Sequence, residues 1–207
     1  YFVCYIPAVL LAGGSLPFLS GELDMEIARQ FYNEKANLWT YSGKPPWLQF
    51  YRFGAIPALV AAAVALSVLV LGIGRRRLAS SRKLSAFLVL ALLAGPGLIA
   101  NFLLKENWGR PRPNETEGLG GAATFERLLA IDPATGGHSF VSVHASMGFY
   151  FFAAGLALLA CRRRKTGILV IVAAGIYGTS IGMACVAQGL HFPSDILWAA
   201  GVIWFTS

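Results

Sequence analysis

Charge is scarce in this chain. Only 13% of its 207 residues are Asp, Glu, Lys or Arg, while 56% are hydrophobic. A water-soluble domain of this length cannot bury so much apolar surface, so the soluble globular class is excluded. Cysteine is scarce as well. Cys4, Cys161 and Cys185 are odd in number and lie within or at the edge of apolar runs, which excludes a disulfide framework and a Cys-rich metal site. Acidic residues number 10 against 17 basic ones, for a net charge of +7. Such an excess raises the question of nucleic acid as a partner, but no groove of interleaved aromatic and basic residues accompanies it. The chain begins at Tyr1 and ends at Ser207 inside apolar stretches, as trimmed termini would, and its start is not read as a signal peptide.

What is present is a set of apolar runs long enough to span a bilayer, which takes about 20 residues as helix. They are Tyr1–Leu19, Gly54–Gly74, Leu84–Leu104, Ser139–Cys161, Thr166–Gln188 and a sixth that starts near Pro193. Gly95-Pro96-Gly97 interrupts the third and predicts a kink there. Between the first two runs, Leu23, Ile27 and Phe31 recur every four residues with Asp24, Glu26 and Arg29 among them, which predicts a short amphipathic helix at the interface. Trp39, Tyr41, Trp47 and Tyr51 fit the interfacial aromatic belt. The expected architecture is all-α: one integral-membrane domain over residues 1–207, a bundle of six transmembrane helices with a short interfacial helix.

The basic residues set the orientation. Arg75–Arg77, Arg82-Lys83 and Arg162–Lys165 lie between spans, the pattern of cytoplasmic loops, where anionic lipid headgroups attract them. Ser20–Arg52, Lys105–His138 and Gly189–Ser194 then fall on the opposite side, with both termini inside. The second of these is polar, rich in Pro and Gly, and too long for a turn, which marks it as functional.

Three clusters sit on that opposite face. In Lys105–Pro113 (KENWGRPRP), Lys105, Arg110 and Arg112 supply a compact ammonium and two fork-shaped guanidinium groups, the donors that phosphate recognition uses. The flanking prolines limit the backbone entropy lost in holding them. Ser142 and His144 open the fourth span, where Ser142 also suits a helix cap. His191 and Asp195 straddle Pro193 at the start of the last span. There Asp195 is suited to accept from one imidazole nitrogen and leave the other free to attack. The helix N-terminus adds a site that favours an anion.

In order and spacing these clusters resemble the motifs of the type 2 phosphatidic acid phosphatase (PAP2) superfamily, and most nearly its bacterial lipid A phosphatase branch. Lys, six residues, then Arg-Pro matches Lys105 through Arg112-Pro113; Pro-Ser-Gly-His is met by Val141-Ser142-Val143-His144; Arg, five residues, His, three residues, Asp is met by Cys185 through His191 to Asp195. The resemblance implies a lipid phosphomonoesterase in a bacterial inner membrane with a periplasmic site. His191 would form a phosphohistidine, Asp195 would orient it, and His144 would protonate the leaving alkoxide and then activate water. Lys105, Arg112 and Ser142 would hold the phosphate, with Arg110 in reserve. It implies no metal and no cofactor; the partners are the lipid phosphate and the surrounding lipids, not nucleic acid.

Two departures from the pattern stand out. Val143 stands where the family has Gly, and Cys185 where it has Arg. A thiol does not replace a bidentate guanidinium, so these residues predict weakened turnover. The competing expectation is a non-catalytic lipid-phosphate binder or transporter-like protein on the same scaffold.

Overall fold

The chain is described by a computed structural model covering residues 2–207. It is mainly helical, as expected. A first helix, α1 (Phe2–Ser15), runs into a 3-10 turn, and α2 (Glu22–Arg29) follows after a bend of 74°. A two-residue hairpin, β1 (Tyr32–Asn33) and β2 (Leu38–Trp39), leads to α3 (Trp47–Phe53) and α4 (Ile56–Leu71). After the basic turn come α5 (Arg82–Leu92), a π-wound stretch (Leu93–Lys105) and α6 (Glu106–Trp108). The second half holds α7 (Val143–Phe149), α8 (Phe151–Ala160), α9 (Arg164–Ala187) and α10 (Pro193–Phe205).

Among the described residues four helices are long and apolar enough to cross a membrane: Trp47–Leu71, Arg82–Trp108, Val143–Ala160 and Arg164–Ala187. The bent α1–α2 pair makes a fifth if it is one broken span. At 13 residues, α10 is shorter than these. The disturbance predicted at Pro96 takes the form of wide π winding over 13 residues, with Pro96 buried inside it. A proline removes one backbone donor, and a wider turn is one way a helix accommodates that loss.

The amphipathic helix forms where expected but faces differently. Asp24, read as part of its polar side, is fully buried together with Ala28 one turn on. The reason is a buried cation, Arg110, waiting on the inner side.

Helices α7, α8 and α9 pack through glycines. A Cβ built at Gly148 would lie 2.6 Å from the Gly178 Cα, and one at Gly178 would lie 2.3 Å from the Phe149 ring. Small residues let the backbones approach, which replaces the hydrophobic drive that is missing in lipid. Phe140, Phe149 and Phe152 fill the adjoining core with Ile196 and Ile203 of α10. Gly148→Val is expected to lower stability by about 1–3 kcal/mol through overpacking. Thermal unfolding in detergent checks it, and an unchanged midpoint would mean the two helices do not meet this closely.

Two tyrosine hydroxyls tie helices of the bundle together. The Tyr150 hydroxyl donates to the Leu88 carbonyl at 3.1 Å, and the Tyr177 hydroxyl to the Gly54 carbonyl at 3.0 Å, where α3 gives way to α4. The loop from Gly109 to Val141 is irregular but tied to the bundle. Ser139 N donates to the Arg110 carbonyl at 2.8 Å, and Asn114 N to the Gly189 carbonyl at 2.9 Å.

Candidate active site

The site residues lie at helix ends or in the short segments that join them. Lys105 closes the π-wound stretch, and Arg112 lies between two prolines in extended backbone. Ser142 caps α7: its Oγ accepts from Ala145 N at 3.3 Å, and its carbonyl accepts from the Ser146 hydroxyl at 2.9 Å. One turn of helix is thus fixed around His144, whose ring stacks on Tyr51 of α3 with centroids 4.6 Å apart.

His191 follows a sharp stop to α9. Leu190 N donates to the Cys185 carbonyl at 3.0 Å and Gly189 N to the Val186 carbonyl at 2.9 Å, the paired bonds that end a helix on a left-handed residue. Gly189 has φ +75°, and a Cβ there would meet the Trp39 ring at 2.4 Å. Only glycine satisfies both conditions. The chain then turns directly into α10, where Asp195 caps the helix by accepting from Phe192 N at 2.8 Å.

These elements bring the three sequence clusters together. His144 lies within electrostatic reach of His191, Lys105 and Arg112. Cys185, fully buried, lies near Ser142, Lys105 and Arg112. Among the described residues no carboxylate comes within ion-pair distance of Lys105 or Arg112. The Arg112 Nε is buried and has no hydrogen-bond partner. A buried donor without an acceptor costs about 1–3 kcal/mol, which a bound anion would recover. Two imidazoles beside two unpaired cations can bind a phosphate dianion and exchange protons with it. Among the described residues no group of three or more His, Cys, Asp or Glu side chains is placed to hold a metal ion.

Two expectations change. Arg110, expected to serve the phosphate, is fully buried and already engaged. It pairs with Asp24 at 2.8 Å and Asp195 at 2.6 Å, donates to the Glu126 carbonyl at 3.0 Å, and lies under the Phe192 ring 4.5 Å from its centroid. Burial alone would lower its pKa, but the Asp195 and Asp24 carboxylates outweigh it and hold the guanidinium above its ordinary value. A phosphate has no free edge of Arg110 to approach. Asp195, in turn, does not take the expected imidazole hydrogen bond. His191 Nδ1 is 3.7 Å from the nearer carboxylate oxygen and 2.6 Å from the Ser139 carbonyl. The Ser139 hydroxyl donates to Asp195 at 2.6 Å, so carboxylate and ring meet through Ser139.

Sequence reasoning missed Asp24, Ser139 and Ser194, and it assigned Tyr51 to the aromatic belt instead of to His144. For Arg110 a signal existed: in Lys-x6-Arg-Pro only Arg112 has the right spacing, which frees the other arginine for a different task.

The sequence belongs to a known family. Residues 83–207 match the family model of the PAP2 superfamily, and the chain belongs to that family. It is similar to the lipid A 4'-phosphatase of Francisella tularensis subsp. novicida, with 33% identity over 190 residues, covering 89% of this chain and 83% of that one. It is also similar to the lipid A 4'-phosphatase of Rhizobium etli, 32% identical over 121 residues, which span 56% of this chain and 45% of that one. No solved structure matches.

Proposed function

We propose that this chain is a membrane lipid phosphatase that removes a phosphate monoester from lipid A, through a phosphohistidine on His191, at the periplasmic face of a six-span inner-membrane bundle. The family and its lipid A 4'-phosphatase relatives support the substrate class. The observation that carries the chemistry is the meeting of His144 and His191 with Lys105 and the unpartnered Nε of Arg112.

In this reading the Nδ1–H of His191 is held by the Ser139 carbonyl, so Nε2 keeps its lone pair and attacks phosphorus. The P–O bond to the lipid breaks, and the alkoxide takes a proton from His144. Water, deprotonated by His144, then attacks the phosphohistidine, the P–N bond breaks, and inorganic phosphate leaves. Lys105, Arg112 and the Ser142 hydroxyl hold the equatorial oxygens as charge develops.

Cys185 and Val143 weaken this site. A missing transition-state donor costs about 3–4 kcal/mol, or roughly 10²–10³ in rate. Phosphate release from purified protein with lipid A and other lipid phosphates tests the reading. Cys185→Arg, alone and with Val143→Gly, is expected to raise turnover by about 10²-fold or more on the best substrate. The buried thiol at the Arg position favours one other reading, a lipid-phosphate binder. Retained lipid binding with no release from any substrate, even in the double variant, would select that binder.

A further inference from the structure

Behind the residues that face the phosphate lies a set of buried charges that the proposed chemistry leaves unused. Asp24 from α2, Arg110 from the long loop and Asp195 from α10 are all fully shielded from solvent. Buried ion pairs are a weak source of net stability, because desolvation offsets their attraction. Their directed geometry is what calls for an explanation.

Asp24 Oδ1 accepts from Ser194 N at 3.0 Å, and Oδ2 accepts from the Ser194 hydroxyl at 2.5 Å and from Arg110 at 2.8 Å. The other arm of Arg110 donates to Ser194 Oγ at 2.8 Å and to Asp195 Oδ1 at 2.6 Å. Asp195 Oδ2 takes the Ser139 hydroxyl at 2.6 Å, and the Ser139 carbonyl takes His191 Nδ1 at 2.6 Å. An unbroken line of hydrogen bonds therefore runs from the surface helix α2 to the imidazole.

We propose that Asp24 and Arg110 are positioning residues for hydrolysis: they hold Asp195 and Ser139 in place and, through the Ser139 carbonyl, fix the plane and tautomer of the His191 ring. The inference rests on His191 being the nucleophile. A ring free to turn would present the wrong nitrogen or the wrong angle, and small misplacements cost rate steeply. Asp24 matters because a guanidinium gripped from both sides cannot rotate away from Asp195. It also caps the first turn of α10 on Ser194 N, the turn that carries Asp195.

The test measures phosphate release from lipid A by the full chain in detergent, with melting temperature measured alongside. Asp24→Asn is expected to lower kcat by about 10- to 100-fold, by analogy with the loss of partners that orient a metal-bound imidazole, with KM nearly unchanged. Asp24→Glu, which restores the charge, should recover part of the loss. Ser194→Ala removes the shared hydroxyl without stranding a charge, should lower kcat several-fold, and decides the matter if Asp24→Asn does not fold. A lowered melting temperature with kcat intact in Asp24→Asn, or in Ser194→Ala where only that variant folds, would overturn the proposal and leave the network a purely structural one. A parent protein that releases no phosphate from any lipid would overturn the phosphatase reading, and this inference with it.

Discussion

Replacing His191 with alanine is expected to lower kcat by about 10⁵–10⁶-fold, the scale on which loss of a covalent nucleophile acts elsewhere. The proposed phosphate cradle of Lys105, Arg112 and Ser142 stays, so substrate binding should persist. The fold should persist too. The ring makes one short hydrogen bond, to the Ser139 carbonyl at 2.6 Å, and stranding that carbonyl costs about 1–3 kcal/mol. The measurement is inorganic phosphate released per enzyme, with base-stable, acid-labile phosphoprotein trapped from lipid labelled in its phosphate. The parent should trap label and the variant none. Parental activity in the variant would place the nucleophile on another residue.

Arg110→Met is expected to have the largest effect on stability. It leaves Asp24 and Asp195 buried with no cation between them. Breaking a buried pair by removing one partner costs about 3–5 kcal/mol, and this substitution breaks two. The total rivals the whole stability of an ordinary domain, about 5–15 kcal/mol. Aggregation on extraction or a sharply lowered melting temperature in detergent is the expected result. Arg110→Lys should be milder, because one ammonium still neutralises one carboxylate even though it cannot span both. A fully stable Arg110→Met protein would show that water or protonation relieves the two acids.

Much of this was readable beforehand, and the reason lies in how each signal is written. A bilayer demands a long apolar run, so Trp47–Leu71, Arg82–Trp108, Val143–Ala160 and Arg164–Ala187 were visible as segments. The motif residues were visible because a family motif is written as local spacing, as from Cys185 to His191 and Asp195. The supporting residues were not. Asp24 and Arg110 are 86 positions apart, and Ser139 and Asp195 are 56 apart. Contacts of that kind leave no period in the chain. The amphipathic pattern of α2 even pointed the other way, since an acid between apolar residues reads as water-facing until its buried cation is known. Tyr51 misled for a similar reason: a tyrosine near a membrane surface fits the belt, and only the helix packing puts it on His144.

The bond from Ser194 N to Asp24 also has a consequence for biogenesis. Its two ends are 170 positions apart in the chain. Ribosomes deliver a protein from its N-terminus at a few residues per second, and membrane helices are inserted as they emerge. The carboxylate of Asp24 and the guanidinium of Arg110 are made first, and the helix that carries Ser194 and Asp195 follows later. Until then the nascent chain holds two of the three buried charges without the third, so the Asp24–Arg110–Asp195 network closes only after α10 has been made.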